Sequence, residues 1–356
     1  MKVAVIGLGW VAREVWLPRL VKHPDFDVVA VVEPRPEAVE RAAALVGGAR
    51  VYGGFQELGP HEADLVFVLT PNHTHGALAS HFLRQGLAVF LEKPTGTDFA
   101  HLRLLEDAAR DGGGRLLLST AARHRADVGE LARLVSDGAL GTPRHAELSW
   151  VRSRGIPGSD WFARRETAGG GVLVDLGWHV IDVLHHLWGA SAVRHATALA
   201  SSDFLTRAGW GADWHAGTAG LADADVEDQL TALVVTERYG MQLRFAWASH
   251  EPVDRTRLVL HGTEGTAELT TTFGFSPRRV GEPTLTLRQA GAEHRVPLPP
   301  AGVGDEYDQQ LDALAAELAR PDATDRALRE AREALAVVEA CYRATSARWS
   351  APETNS

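Results

Sequence analysis

Short apolar runs separated by amphipathic stretches organise the first 120 positions. Unbroken runs occur around 3–6, 27–33 and 115–120, and two more lie in "LVFVL" and "LAVFL". A run without polar interruption is typical of a strand that is buried on both faces, as in a parallel sheet. Between the runs, apolar residues recur at helical spacing, as at Val11, Val15 and Leu20. The alternation therefore predicts a doubly wound parallel sheet whose strands are connected through helices.

The pattern changes after about Thr120. Strand-like segments are predicted at 144–151, 226–236, 241–247, 257–260 and 265–271. Helical patterns precede and follow them at 127–143, 305–319 and 325–348. Turn pairs such as Tyr239-Gly240 and Glu264-Gly265 are typical of hairpins. This part of the chain is therefore expected to form an antiparallel sheet within an α+β domain.

These patterns predict two domains and a tail. The parallel-sheet domain is expected at 1–122, the α+β domain at 123–348, and a disordered tail at 349–356. The segment 201–224 is rich in Gly, Ala and Trp and has no clear period, so it is expected to be a long loop.

Composition and charge exclude several classes of protein. The chain has 356 residues, 45% of them hydrophobic and 23% charged, which is typical of a globular protein of about two domains. A formal charge of −10 argues against nucleic acid as a partner. Cys341 is the only cysteine, so no internal disulfide can form. The chain contains no apolar run of membrane-spanning length and opens directly on a strand, which predicts a cytoplasmic protein with no membrane partner.

The turn after the first strand carries a G-x-G-x-x-A fingerprint. Gly7 permits a tight turn, Gly9 lets a pyrophosphate approach the backbone, and Ala12 keeps the following helix close to the strand. Glu33 ends the second strand, where a carboxylate can hold ribose hydroxyls and would repel a 2′-phosphate, so NAD is favoured over NADP. Arg35 could moderate that preference. The predicted cofactor residues of this Rossmann unit are Gly7, Gly9, Trp10, Val11, Ala12, Glu33 and Arg35.

Two further strand ends supply candidate residues, because ligands of doubly wound sheets bind beyond the carboxyl ends of the strands. One is "TPNHTH" and the other is "EKP". The residues predicted here to contact the cofactor are Thr70, Pro71, Asn72, His75, Glu92 and Lys93. A purely structural role for His75 is the alternative. Lys93 is one of three lysines in an arginine-rich chain, which favours a chemical role that a guanidinium could not perform.

The segment "GGGVLVDLGWHVIDVL" places a histidine between two carboxylates. On a helix, Asp175, His179 and Asp182 are spaced i, i+4 and i+7 and share one face. A neighbouring carboxylate orients an imidazole and raises its basicity, so His179 is a candidate general base. Two alternatives stay open at this point: a polar stripe that faces water, and a metal site at His179, Asp182 and His186.

The chain resembles the glucose–fructose oxidoreductase, inositol dehydrogenase and rhizopine-catabolism family, called Gfo/Idh/MocA. The resemblance rests on "GLGWVA", "TPNHTH", "EKP" and "GGGVLVDLGWHVID", with weaker support from "DVEDQLTALVVTERYG" and "HGTEGTAEL". It implies a Rossmann domain, a second domain built on a large open sheet, and a catalytic trio of Lys93, Asp175 and His179. It also implies a homodimer or homotetramer.

The residues and the resemblance together predict an NAD-dependent dehydrogenase or reductase. Its substrate would be a secondary alcohol or ketone of a sugar, a cyclitol or a related polyol, and no metal is expected. Arg123 and Trp161 are candidate substrate residues; the alternatives are a surface role for Arg123 and a packing role for Trp161. An arginine cluster could bind an anionic group or be solvated surface charge: Arg152, Arg154, Arg164 and Arg165. Two alternatives are an NAD-retaining glycoside hydrolase that uses transient oxidation, and a nucleotide-binding sensor without chemistry.

Overall fold

A computed structural model describes residues 1–214 and 223–346. The chain divides into two compact units. The first unit comprises residues 1–124, 166–169 and 302–332. The second comprises residues 125–165, 170–301 and 333–356, as far as they are described. The predicted tail at 349–356 lies outside the described residues, as do positions 215–222 of the predicted long loop.

The first unit contains a six-stranded sheet in the order β3-β2-β1-β4-β5-β6, and all its strand pairs are parallel. Its strands are β1 (Lys2–Ile6), β2 (Asp27–Val32), β3 (Arg50–Tyr52), β4 (Leu65–Val68), β5 (Ala88–Leu91) and β6 (Leu116–Leu118). The central strands are buried on both faces, as their unbroken apolar runs predict. The order reverses between β1 and β4, which is where a doubly wound sheet holds its ligand.

Helices connect these strands. A π-helical stretch, Val11–Trp16, leads into α1 (Leu17–Lys22), and the next helices are α2 (Pro36–Val46), α3 (Asn72–Arg84) and α4 (Phe99–Gly112). The C-terminal helix α8 (Asp305–Ala319) also belongs to this unit. Trp16 is fully buried and meets the ring of Phe90 edge-on at 4.9 Å and that of Tyr307 at 5.2 Å. The aromatic contact therefore joins α8 to the first crossover of the unit.

The second unit contains an eight-stranded sheet in the order β14-β13-β12-β11-β7-β10-β9-β8. Its strands are β7 (Pro143–Val151), β8 (Val193–Ser201), β9 (Gln229–Thr236), β10 (Gly240–Ala246), β11 (Arg255–Gly262), β12 (Thr266–Thr271), β13 (Thr284–Gln289) and β14 (Ala292–Val296). All pairs are antiparallel except β7 with β10. The described helices of this unit are α5 (Ala126–Ser136), a π-helical stretch at Leu173–Gly177, and α7 (Trp178–Trp188). The short α6 (Arg165–Ala168) and the long α9 (Ala323–Ser346) contribute residues to both units.

The predicted fold class is confirmed: a parallel Rossmann sheet and a mostly antiparallel open sheet are both present. The strand pattern missed β3 in the first unit and β8, β13 and β14 in the second. The β13–β14 hairpin is polar and β14 is largely exposed. Its residues therefore show no apolar alternation from which a strand could be predicted. The parallel pairing of β7 with β10 was missed as well, because it depends on a crossover between strands far apart in the chain.

One face of the eight-stranded sheet carries apolar side chains that no described residue covers. Leu199 is 71% exposed, Leu233 56% and Val235 50%. They lie on the neighbouring strands β8 and β9, where Leu233 is in register with Thr197. Within the described part of the chain, no helix combines the length and the apolar character that crossing a membrane requires.

Candidate active site

The glycine turn after β1 has the geometry that a dinucleotide requires. Gly7 has φ +91°, and a Cβ there would lie 2.7 Å from Thr70 Cγ2, so both its conformation and its surroundings demand glycine. Next to it, the backbone N–H of Leu8 donates to Glu33 Oε2 at 2.9 Å. The carboxylate of Glu33, which directly follows β2, thus lies against the turn.

Glu33 is also paired with Arg35. Arg35 Nε donates to Oε1 at 2.7 Å and Nη2 donates to Oε2 at 3.0 Å. Burial raises the pKa of Glu33, but the bonds from Arg35 and from the Leu8 N–H outweigh it, and the net shift is downward. Glu33 is therefore an ionised acceptor whose charge is partly offset by a half-exposed guanidinium.

The turn after β4 is built from hydroxyl and imidazole contacts. Thr74 Oγ1 donates to Pro71 O at 2.7 Å, so the 2.6 Å contact between Thr70 and Thr74 uses the hydroxyl hydrogen of Thr70. The buried ring of His75 places Nε2 2.8 Å from Thr70 O and Nδ1 2.6 Å from Pro94 O. Burial lowers the pKa of His75 to about 4, although both carbonyls favour the protonated ring. His75 therefore ties the "TPNHTH" turn to the turn that follows Lys93.

Lys93 directly follows a buried carboxylate. Glu92 Oε1 accepts from Trp16 Nε1 and from Ser119 Oγ, both at 2.8 Å, and Oε2 accepts from the Lys93 N–H at 2.9 Å. Lys93 itself is half-buried, and the bond to Pro94 is cis. Three donors thus hold Glu92, which fixes the backbone from which the Lys93 side chain starts.

Two other predicted residues of this unit have protein partners. The buried Asn72 donates through Nδ2 to Ala168 O at 2.8 Å. Arg123 Nη1 donates to Glu330 Oε2 at 2.8 Å, with both side chains mostly buried. These contacts join segments of the first unit that are distant in the chain.

A buried carboxylate of the second unit holds the triple-glycine turn. Glu227 Oε2 accepts from Gly171 N and Oε1 accepts from Leu173 N, both at 3.1 Å, and Tyr342 Oη donates to Oε1 at 2.8 Å. A Cβ on Gly171 would lie 1.9 Å from Glu227 O, and one on Gly170 would lie 2.0 Å from Tyr342 Oη. Burial raises the pKa of Glu227. The glycines are therefore required by close packing around this carboxylate.

The helical segment that follows exposes two polar side chains. From Gly171 to His185, every residue is buried except Asp175 and His179, which are partly exposed. They are four positions apart and lie on one face, as the spacing predicts. The ring of His179 packs against Trp150 at a centroid distance of 5.9 Å, and Trp247 Nε1 donates to Asp175 Oδ2 at 2.9 Å.

The remaining members of that pattern do not join this pair. Asp182 is buried and His186 is exposed. Over residues 1–214 and 223–346, no group of three or more His, Cys, Asp or Glu side chains could hold a metal ion. Of the polar residues in this pattern, Asp175 and His179 are therefore the two that are partly exposed.

The arginine cluster separates into one buried and three exposed residues. Arg154, Arg164 and Arg165 are exposed, as the solvated-surface interpretation requires. Arg152 is buried, and its guanidinium lies 5.1 Å from the ring centroids of both Trp150 and Trp214. Trp161, the other candidate substrate residue, is partly exposed, and its ring lies at a tilt to that of Phe162 with the centroids 3.9 Å apart.

Three residues that hold the Asp175–His179 segment were missed by the sequence reasoning. They are Glu227, Trp247 and Tyr342. Glu227 could have been found from "DVEDQ", because this acidic pair directly precedes a strand with alternating apolar residues. Trp247 and Tyr342 carry no spacing signal, because their partners lie 72 and 115 positions away.

A parallel sheet with a glycine turn after its first strand, in a chain that also contains an open-sheet unit, is typical of nicotinamide-dependent oxidoreductases. Residues 1–120 match the family model "Oxidoreductase family, NAD-binding Rossmann fold". Residues 128–268 match the "GFO/IDH/MocA C-terminal domain". The chain belongs to the Gfo/Idh/MocA oxidoreductase family.

One relative is similar over nearly the whole chain. A protein of Amycolatopsis mediterranei, proposed to be the oxidoreductase subunit of UDP-kanosamine synthase, is 42% identical over 344 residues. The alignment covers 96% of this chain and 95% of the relative.

Solved structures share the fold. A 3-ketoreductase from Actinomadura kijaniata, in complex with NADP and TDP-benzene, has a TM-score of 0.75 at 21% identity, covering 97% of this chain and 98% of that one. The WlbA dehydrogenase from Bordetella pertussis, in complex with NADH and UDP-GlcNAcA, has a TM-score of 0.74 at 19% identity, covering 97% and 96%.

Proposed function

We propose that this protein oxidises a secondary hydroxyl, or reduces the corresponding ketone, on the sugar of a nucleoside diphosphate sugar. The observation that carries the proposal is the Asp175–His179 pair, the two accessible side chains of an otherwise buried helical segment. The nucleotide-sugar class is supported by the Amycolatopsis relative, whose proposed role is in UDP-kanosamine synthesis. Free sugars and cyclitols are the other substrates that the broader prediction includes.

We assign NAD as the cofactor. The positive φ of Gly7, its lack of room for a Cβ and the ionised Glu33 beside the turn all fit a dinucleotide. Glu33 would accept from ribose hydroxyls and repel a 2′-phosphate, while Arg35 is already engaged by it. Bound nicotinamide would accept the hydride in oxidation and return it in reduction.

The chain's own residues manage the proton and the charge on oxygen. His179 takes the proton of the substrate hydroxyl during oxidation and returns it during reduction. Asp175 accepts a hydrogen bond from His179 or from the substrate and so favours the imidazolium that forms. Lys93 donates to the reacting oxygen and stabilises its developing negative charge.

The proposal is tested by measuring NAD reduction with UDP-glucose for the wild type, Lys93→Met and His179→Gln. Each variant is expected to lose at least about 100-fold in kcat while still binding NAD, because loss of a proton-transfer group has that size of effect. The matched control is His186→Gln, an exposed histidine on the same helix. Unchanged turnover in both site variants would reject the mechanism, and release of free sugar without net reduction would indicate the hydrolase alternative.

The cofactor assignment has a separate test. Glu33→Ser removes the carboxylate that opposes a 2′-phosphate, so the ratio of NAD to NADP affinity should fall by about tenfold or more. Isothermal titration with both cofactors measures this ratio. An unchanged ratio would mean that Glu33 does not face the ribose.

We also infer that the protein forms homo-oligomers through the open face of its eight-stranded sheet. The inference is supported by the exposure of Leu199, Leu233 and Val235, since a large uncovered apolar patch is typical of an interface. Leu233→Lys should lower the molar mass measured by light scattering. Val21→Lys, at an exposed valine of the first unit, is the matched control. An unchanged mass for Leu233→Lys would reject this face.

A further inference from the structure

Trp247 holds one oxygen of Asp175. Its side chain is fully buried directly after β10, and its indole N–H donates to Asp175 Oδ2 at 2.9 Å. A buried indole N–H requires an acceptor, and a hydrogen bond to a charged acceptor is stronger than one to a neutral group. Its backbone N–H is bound to Asp228 O at 2.9 Å, so the ring starts from a fixed point. The carboxylate of Asp175 is therefore aimed by a rigid donor.

Arg152 brings a buried positive charge to the same oxygen. Its Nη1 lies 3.9 Å from Asp175 Oδ2 and donates to Gly155 O at 3.2 Å. The guanidinium lies over two tryptophan rings, Trp150 and Trp214, at 5.1 Å from each. A Cβ on Gly155 would lie 2.3 Å from Arg152 Cδ, so the glycine makes room for this side chain. The cation is thus buried beside two aromatic rings.

The two contacts differ in kind. At 2.9 Å the indole forms a hydrogen bond that sets the orientation of the carboxylate. At 3.9 Å the guanidinium acts through charge, which favours the ionised carboxylate. Trp150 joins the arrangement to the proposed base, because it also packs against the ring of His179 at 5.9 Å.

Other charged groups of the second unit lie nearby, and the guanidinium of Arg152 also acts on the buried carboxylate of Asp254. On the elements that pack against residues 173–177, Glu147 of β7 and Arg244 of β10 alternate onto the open face of the sheet. Glu227 is committed to the amides at the start of the segment. His179 and Asp182 follow on the adjoining helix. Among the described residues, Arg152 is therefore a cation of this unit that lies against Asp175.

We infer that Trp247 and Arg152 are positioning residues, which hold Asp175 as an oriented anion beside His179. The inference rests on the proposed function for its catalytic meaning, since an ionised Asp175 can only accept hydrogen bonds and so leaves proton transfer to His179. Trp247 sets the direction of the carboxylate and Arg152 sets its charge state.

The indole N–H of Trp247 gives a readout that needs no substrate. The chain has 10 tryptophans, so a spectrum of protein labelled with ¹⁵N in the indole rings is small enough to assign, with Trp247→Phe identifying the signal. The signal is followed from pH 8 to pH 4 in the full-length wild type, Asp175→Asn, Arg152→Met and Arg152→Lys. Arg154→Met is the matched control, because it removes an exposed charge from the same segment.

In Arg152→Met the Trp247 signal should change position with a midpoint at least about half a pH unit higher than in the wild type, because the carboxylate has lost its cation. The change should be absent in Asp175→Asn. Arg152→Lys should restore the midpoint toward the wild-type value, and Arg154→Met should leave it unchanged since exposed charges are screened. A signal in Arg152→Met that superimposes on the wild type at every pH would overturn the inference, as would a change that persists in Asp175→Asn.

Kinetics separate this inference from the proposed function. With UDP-glucose and NAD, Arg152→Met should move the acidic limb of kcat/KM to higher pH, whereas Trp247→Phe should lower kcat more than it raises KM. A merely structural role would reduce the active fraction without moving the pH profile. If no nucleotide sugar is oxidised, the proposed function fails while the indole titration still decides the positioning role. If turnover is normal and the titration is unaffected by Arg152→Met, the positioning role alone fails.

Discussion

Each unit of the molecule contains a buried glutamate that accepts three hydrogen bonds next to a proposed catalytic residue. In the first unit Glu92 holds the backbone of Lys93 and receives two side-chain donors. In the second unit Glu227 holds the turn that leads to Asp175, and two of its three donors are backbone amides. The same residue type therefore fixes a strand end in one unit and a helix start in the other.

The difference shows how the two kinds of scaffold place a functional group. Glu92 is adjacent to Lys93 in the chain, so the strand that ends there delivers both residues together. Glu227 lies 54 positions from Leu173 and 115 from Tyr342, so its site exists only once distant segments have packed. Burial raises the pKa of Glu227, while its amide and hydroxyl donors oppose that shift. The second arrangement should therefore be more sensitive to changes in packing.

The largest expected effect comes from filling the space beside Glu227. In Gly171→Ala the new Cβ would lie 1.9 Å from Glu227 O, a backbone atom that cannot move without displacing β9 and the turn. We expect a loss of at least about 4 kcal/mol in the free energy of unfolding, or failure to fold. Urea unfolding followed by circular dichroism measures it.

Gly129→Ala is the control for that substitution. Gly129 lies within α5 of the same unit, and a Cβ there would meet nothing within 4 Å. The change should stabilise the protein by about 0.5–1 kcal/mol, because alanine is the better helix former. Equal stability of the two variants would refute the packing account of the triple glycine.

A smaller effect is expected from removing either carboxylate while keeping its shape. Glu227→Gln and Glu92→Gln each replace one acceptor oxygen by an NH₂ group that faces a donor, and each should lower the free energy of unfolding by about 1–3 kcal/mol. Limited proteolysis distinguishes the local effects of the two variants. Glu227→Gln should open cleavage in the 165–180 segment, and Glu92→Gln should open cleavage near 92–98. Identical cleavage patterns would mean that the two carboxylates do not act locally.

The smallest effect concerns Asp228, which directly follows Glu227. Its Oδ2 accepts from Phe204 N and Leu205 N at 2.6 and 2.9 Å, yet burial raises its pKa to about 6. The folded state therefore binds a proton more readily than the unfolded chain, so this group adds stability as the pH falls through about 6. The variant Asp228→Asn has no titrating carboxyl at this position and does not gain this stability as the pH falls.

The stability difference between the wild type and Asp228→Asn should move in favour of the wild type by about 1.4 kcal/mol from pH 7.5 to pH 5. Urea unfolding at four pH values measures it, and carboxylates common to both proteins cancel. A difference that stays constant over this range would place the titration of Asp228 outside it.

Much of the first unit could be predicted because its functional residues follow local rules. Gly7, Glu33 and Lys93 each stand at the end of an apolar run, and parallel strands bring their carboxyl ends to one edge. The structure confirms that edge for Glu33, whose carboxylate meets the glycine turn. The roles of Lys93, Asp175 and His179 in catalysis stay predictions.

The second unit was less predictable because its sheet is only half covered. β8 alternates exposed and buried residues, and Leu199 faces outward, so the apolar pattern gave no clear inward face. The polar hairpin β13–β14 has even less buried surface. Arg152 was grouped with three exposed arginines, and only the tryptophan cage distinguishes it.

Local patterns in the chain specify the fold class, the dinucleotide turn and the spacing that places Asp175 and His179 on one face of a helix. These features arise from backbone conformation and short-range periodicity, which a few neighbouring residues specify. Only the packing of the folded chain brings Glu227, Tyr342, Trp247 and Arg152 around that helix. Buried polar groups take whichever partners the packed chain brings within about 3 Å, and no local pattern records those partners.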